Sequence, residues 1–301
     1  MRDRERFALN LPVCPTAGQV PHRLTTTTEL PVVVFLNPVV NPMLTKKQNY
    51  VDHIEAVRDN DTWLYKPQKL PRMDPIDLKG LQGVLPFDGV RNPSFRSNTS
   101  YRVFMPYRTP ANNWVTKSGI AESAAEAAVT LQFLMSPDMY DLHFQPLLVH
   151  FEDESGEMVP YHHDLLFTFR SGYKRLTFVR FEESLNRPKT MRDIEAIAAA
   201  TPKSAADDMI VVNASDYTRQ RRENLLRLYY FMIKPDHEAD DLVWRTAQSL
   251  RTLYYMKDLF SHVSVSQKRA FGACHRLIAQ GFLRANLDHV LWENSHIRVA
   301  V

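Results

Sequence analysis

Two carboxylates and one guanidinium carry the chemistry this sequence is equipped to do. Glu126 stands in the alanine-rich stretch Ser118–Met135, Asp164 ends Tyr161-His-His-Asp164 just before an apolar run, and Arg180 follows Phe178 by two residues in Leu176-Thr-Phe-Val-Arg-Phe181. A glutamate from a helix and an aspartate from a strand end form a minimal oxygen set for a hard ion such as Mg2+ or Mn2+. Such an ion acidifies the water that attacks a phosphodiester in line and neutralises charge on the phosphorus. Alternate residues of a strand share a face, so Phe178 and Arg180 would approach the same place. Arg180 can clamp a phosphate but cannot exchange a proton near neutral pH, and Phe178 offers a metal no donor. The set therefore suits phosphodiester chemistry with two carboxylates and a phosphate clamp, but without a third metal-facing acceptor. The loss of one well-placed electrostatic group commonly costs about 100-fold to 1,000-fold in rate. Glu182 and Glu183 would substitute only after a register shift of the strand.

Blander readings stand beside this one. Glu122 and Glu126, at i and i+4, would share a helix face, and glutamates in an alanine-rich helix are at home in solvent. Asp164 serves equally well as a turn or cap residue. His150, His162 and His163 suggest a transition-metal site with Asp164, although adjacent His162 and His163 point to opposite faces of a strand, so that only one joins easily. Candidate DNA contacts are the basic residues Arg170, Lys174 and Arg175 in and after the turn between the last two strands, and Lys268 and Arg269 near a possible recognition helix. Arg219, Arg221, Arg222 and Arg227 form a second basic group.

The elements that must position these residues follow from texture. Residues 1 to 110 hold 13 of the 19 prolines and read as loop-rich with short strands such as Val32–Leu36 and Ser100–Met105. Ser118–Met135 predicts a helix ended by Ser136-Pro-Asp138. Pro146–Phe151, Tyr161–Phe169 and Leu176–Phe181 predict strands joined by hairpin turns, Thr190–Ala200 a helix with a threonine cap, and Met209–Asn213 a further strand. From Tyr217 the pattern is helical: Tyr217–Ile233, Asp240–Asp258, and Ser266–Gln280 closed by Gly281, with an apolar strand-like tail. The aromatic runs Leu228–Met232 and Leu253–Met256 fit core packing or a partner interface better than base stacking.

Composition bounds the class without selecting a function. The 301 residues, 44% hydrophobic and 11% aromatic, suffice for two compact domains, and a net charge of +3 permits a local nucleic-acid patch without arguing for one. Cys14 and Cys274 are too few for a zinc cluster or a disulfide framework, which fits a reducing interior. The longest early apolar run, Pro31–Leu36, is too short for a signal or a membrane span, so a cytoplasmic protein is expected.

The order of these features resembles the active-site stretch of a PD-(D/E)xK nuclease and, over residues 118 to 300, the TnsA endonuclease family of heteromeric DNA transposases. The likeness rests on Glu122-Ser-Ala-Ala-Glu126, Ser136-Pro-Asp138, Gln145-Pro146, Tyr161-His-His-Asp164, Val211-Val-Asn-Ala-Ser-Asp216 and Arg221-Arg-Glu-Asn-Leu225. The resemblance implies an α/β restriction-endonuclease-like core at 101–213 and a helical winged-helix-like domain at 214–301, preceded by a loop-rich extension at 1–100 that it does not explain. It implies work at transposon-end DNA beside an integrase-like transposase and an AAA+ ATPase regulator. Carried over by position, Glu126 and Asp164 would hold the metal, and Arg180 would stand for the catalytic lysine. Departures fall on His163, where the family has proline, and on Phe178 and Arg180, where it has a Glu or Gln and a lysine. The resemblance thus leads to a degenerate nuclease acting as an architectural bridge, with an active Mg2+- or Mn2+-dependent nicking enzyme and a winged-helix DNA-binding regulator as alternatives.

Overall fold

The computed structural model describes residues 82–93 and 102–300 together with a strand at 32–35. The rest of the loop-rich extension lies outside the described residues. Contacts divide the chain into two units, one reaching Thr130 and resuming over Asp138–Tyr217, the other holding Leu131–Pro137 and everything from Thr218 onward.

The first unit is mixed α/β. Its elements are β1 (Val32–Phe35), β2 (Val103–Tyr107), β3 (Lys117–Ala121), α1 (Ala124–Leu134) as far as Thr130, β4 (Met139–Phe144), β5 (Leu148–Glu152), β6 (Met158–His162), β7 (Leu165–Phe169), β8 (Lys174–Arg180), the one-turn α2 (Glu182–Leu185), α3 (Pro188–Ala200) and β9 (Asp208–Asn213). Five strands form one sheet in the order β1-β9-β8-β7-β4. β4, β7 and β8 run antiparallel, while β8, β9 and β1 are parallel. β5 with β6 and β2 with β3 form separate antiparallel pairs.

Several sequence expectations shift by a local cause. The helix expected from Ser118 begins at Ala124, because Lys117–Ala121 pairs with β2 and the Ser123 hydroxyl caps the helix by accepting the Glu126 N–H at 3.1 Å. Glu122 consequently precedes the helix and does not share a helical face with Glu126. Tyr161–Phe169 is two strands broken at His163-Asp164, since β6 returns to β5 and β7 turns to β8. β4 was not legible because a bulge between Met139 and Asp141 breaks its period of two. α3 starts two residues before Thr190, with Pro188 in its first turn, where a proline lacks no needed N–H.

Alternation along β8 sets the core. Leu176 and Phe178 face a cluster with Met209 and Val211 of β9, Ile194 and Ile197 of α3, and Val149 and Phe151 of β5. Each such side chain contributes about 1.5–3 kcal/mol on burial. Arg175, a candidate DNA contact, is instead 3% exposed and grips Asp208 with Nε at 2.9 Å and Nη2 at 2.7 Å. Its guanidinium also lies over the rings of Phe169 and Tyr173, so it cannot reach a phosphate. Arg170 and Lys174 remain exposed.

The second unit packs α4 (Arg219–Met232), α5 (His237–Ser249) and α6 (Gln267–Ala279) with a short pair β10 (Leu283–Ala285) and β11 (Ile297–Val299). The helix expected over Asp240–Asp258 is shorter and starts earlier. Asp236 caps its N-terminus, Leu250 is extended, and the Asp258 carboxylate accepts the N–H groups of Tyr254 and Tyr255 to open a separate 3-10 turn. Arg269, another candidate DNA contact, is engaged by Asp236 at 2.8 Å and by Glu238, while Lys268 is exposed. Buried Arg276 is likewise held by Asp240 at 2.8 Å. No helix among the described residues is long and apolar enough to cross a membrane.

Asp208→Ala should cost about 3–5 kcal/mol by stranding Arg175 in the core, read as a lower urea midpoint. The double replacement Arg175→Met with Asp208→Leu should recover most of that loss.

Candidate functional site: a charge-compensated carboxylate cluster

Asp164 occupies the break before β7, one step beyond the Leu165–Thr177 pair, and so stands opposite Phe178 of β8. Opposite residues of an antiparallel pair share a face, which brings Asp164, Phe178 and Arg180 together as the spacing predicted. Asp164 Oδ2 accepts the Val179 N–H at 3.3 Å and faces Arg180 Nη1 at 3.4 Å. The same Nη1 donates to the Val179 carbonyl at 2.7 Å. One guanidinium thus bridges two oxygen donors at the end of β8. Its carbon lies 4.3 Å from the Phe178 ring centroid, a cation–π contact that locks the side chain over the ring. Phe178 is 3% exposed and also packs on Tyr161, ring centres 5.5 Å apart.

Glu126 turns back from the first turn of α1 so that Oε2 accepts the Glu122 N–H at 2.9 Å. This is a reciprocal cap, displaced by one residue from the usual capping box. Its other oxygen, Oε1, is buried with no hydrogen-bond partner. Burial, then the charge of Asp164, holds the Glu126 carboxyl well above the usual carboxylate range. Burial raises Asp164 as well, against the opposing pull of Arg180 and the Val179 N–H. Burial and the neighbouring carboxylate thus favour the protonated form in the Glu126–Asp164 pair.

Glu122 belongs to the same cluster from outside the helix. It pairs with Arg91, and Arg102 Nη1 donates to its carbonyl at 2.7 Å and approaches its carboxylate at 3.5 Å. Arg91 also donates to Gln145 Oε1 at 3.1 Å. Gln145, with a left-handed φ of 49° and fully buried, receives Val90 N–H on its carbonyl and gives its own N–H to the Asp164 carbonyl at 3.0 Å. Two of the three carboxylates, Asp164 and Glu122, are therefore met by three guanidinium groups, while Glu126 turns to a backbone N–H. Arg91 and Arg102 were missed in the sequence because neither lies in a motif; the earlier Gln145-Pro146 signal marks where Arg91 docks.

The remaining candidates fall elsewhere. His163 is buried, hydrogen-bonded to Thr201 Oγ1 at 2.9 Å, and its pKa is pushed down to about 4 by burial; it serves the core. His162 is half-buried near Arg91 and Glu122, and burial lowers its pKa. Glu182 and Glu183 are exposed on α2, beyond the end of β8, so the register shift that would recruit them does not occur. The Tyr161 hydroxyl, which sequence reading passed over, is buried without a hydrogen bond of normal geometry, and burial followed by Asp164 raises its pKa.

A hard divalent ion seeks about six oxygen ligands. Glu126 Oε1 and Asp164 are the carboxylate donors that could hold one here, but Arg180 already lies on Asp164 and on the Val179 carbonyl, and Phe178 supplies no third donor. A second positive charge beside that guanidinium is repelled. The donor set does not fit such an ion. No family model matches the sequence, and no curated protein is significantly similar to it.

Burial favours the protonated form of Glu126 in the folded protein, whereas the unfolded chain releases that proton at pH ~4.3. Stability is therefore lost as pH rises above that value toward the raised folded pKa. Glu126→Gln should raise Tm at pH 8, by about 2–4 °C for each kcal/mol relieved, with the gain vanishing near pH 4 in a series of thermal melts.

Proposed function

We propose that this chain is a TnsA-like component of a DNA transposition complex whose nuclease-type site has given up metal chemistry for an internal cation. In this reading the protein bridges a transposase at the transposon end and an AAA+ regulator. The observation that carries it is the Arg180 guanidinium seated between Asp164 Oδ2 and the Val179 carbonyl, over the Phe178 ring. In this arrangement the arginine occupies those oxygens, whereas a catalytic ion must leave a place for water and phosphate.

The order of elements supports the fold half of the proposal. α1 is followed by antiparallel β4, β7 and β8, then α3 and a strand, β9, parallel to β8. This order supports the reading of a restriction-endonuclease-like core with the β5–β6 hairpin inserted. Three helices followed by a two-stranded pair suit a winged-helix-like module for partner docking. An active nicking enzyme is the second reading, and one observation favours it: Glu126 Oε1 is buried beside Asp164 with no partner.

The test is a reconstituted reaction on labelled transposon-end DNA with transposase, ATPase and either Mg2+ or Mn2+. The wild-type chain should add no cut of its own while transposition still requires it, and Glu126→Ala and Asp164→Ala should leave the cleavage pattern unchanged. Nicking that both substitutions abolish would establish the enzyme and sink the architectural reading.

A further inference from the structure

Helix α4 carries an apolar row that its own unit leaves open. Leu226, Tyr230 and Ile233 are 59%, 51% and 47% exposed and stand at i, i+4 and i+7, which places them on one face of the helix. Ile233 follows the last residue of α4 but keeps a helical φ of −73°, so the row continues through it. At 1.5 Å per residue the row is about 10 Å long. Asn224, Leu225, Leu228 and Tyr229 are the residues that α4 buries within the unit.

The row is held in shape and flanked by cations. Lys234 Nζ lies 3.9 Å from the centre of the Tyr230 ring and donates to its hydroxyl, and the Phe231 ring meets Tyr230 nearly at right angles with centres 5.7 Å apart. An aromatic anchor already held in place loses little freedom when a partner arrives. Phe231 in turn packs on Phe271 and His275 of α6. Lys268 stands exposed in the first turn of that helix. The hydrogen bond and charge of Lys234 lower the Tyr230 pKa, and the charge of Lys268 adds to them, so both lysines border the ring.

Neither lysine meets a carboxylate among the described residues. The acids nearest in the chain are engaged already, Asp236 and Glu238 by Arg269 and Glu293 by Gln267 Nε2 at 3.1 Å. α6 also begins without an acidic residue in its first turn, so the positive end of its dipole is not offset there. The border of the row is therefore short of negative charge.

These two features together select the occupant. Duplex DNA would meet the lysines but leave the apolar row without a partner. A second copy docked through the same face would turn Lys234 and Lys268 toward their own counterparts, like charge against like. A helix with one apolar face and acidic flanks answers both: its ridge lies along Leu226, Tyr230 and Ile233, and its carboxylates reach the lysines. We infer that this face of α4 docks an acidic amphipathic helix of a partner protein. The inference stands on the second unit alone and depends neither on the identity proposed above nor on the state of the carboxylate cluster.

Fluorescence anisotropy of the full chain tests it with a labelled synthetic peptide of about 20 residues, long enough to hold a helix, bearing leucines on one face and glutamates elsewhere. Two matched peptides serve as comparison, one with lysines in place of the glutamates and one with the leucines scattered round the helix. The acidic amphipathic peptide should bind about tenfold or more tightly than either, with affinity falling as salt rises. Tyr230→Ala should weaken it about tenfold or more. Leu226→Ser, at a still more exposed position, gives the same readout if the tyrosine variant does not fold. Lys268→Glu should weaken it about fivefold or more and flatten the salt dependence, whereas Arg298→Ala, an exposed cation on β11, should change nothing. Unchanged thermal melts would show that the variants fold, and sedimentation should find the chain monomeric. Equal binding of the basic or scattered peptide, insensitivity to Leu226→Ser and Lys268→Glu in folded protein, displacement of the peptide by duplex DNA, or a dimer that Leu226→Ser dissociates would overturn the inference.

Discussion

The first unit is organised around the problem of placing carboxylates where water is scarce. An isolated buried carboxylate is too costly to keep ionised, and three of them meet near the ends of β7, β8 and α1. The chain answers in three ways. Asp164 is set against Arg180 and a backbone N–H, Glu126 is biased by burial toward its protonated form while capping its own helix entry, and Glu122 is enclosed by Arg91 and Arg102. Each answer draws on a different part of the sequence, so the cluster ties together residues from the 82–93 segment, the strand before α1 and the sheet. Removing any one guanidinium would unbalance the others, which is why the site reads as one unit rather than as separate salt bridges.

Much of this was legible in residue order. Asp164, Phe178 and Arg180 share a face because strand periodicity requires it, and pairing of Leu165 with Thr177 fixes the register that residue order alone left open. Residue spacing left either Glu122 or Glu126 as the inward carboxylate and only the family resemblance pointed to Glu126, while the place of Glu122 outside the helix was not legible. Its place outside the helix depends on Ser123 acting as the cap, and an alanine-rich run gives little warning of where a helix starts. Arg91 and Arg102 were invisible for a different reason: their roles come from tertiary contact across the fold, and surface-like arginines in loops carry no local signature. Conversely, Arg175 and Arg269 looked like free cations in the sequence and are consumed by Asp208, Asp236 and Glu238.

The second unit shows the same economy of charge with a different outcome. Arg269 and Arg276 are spent on structure, fastening α6 to the start of α5 through Asp236 and Asp240. Arg284 and Arg298 lie directly opposite each other in the short β10–β11 pair. Cys274, buried with its thiol pushed up to about 12, takes no part in reactive chemistry.

The parallel pairing of β1 with β9 joins Val32 to Met209, so almost the whole first unit lies between the two partners in the chain. During synthesis from the N-terminus, β1 emerges first yet has nothing to pair with until β9 has left the ribosome. The sheet must therefore be completed from its middle outward, with β8 offering an edge to β9 and β9 in turn to β1. Loop closure over such a distance is slow. Among the described strands of this sheet, the earliest to be made is thus the last to be seated.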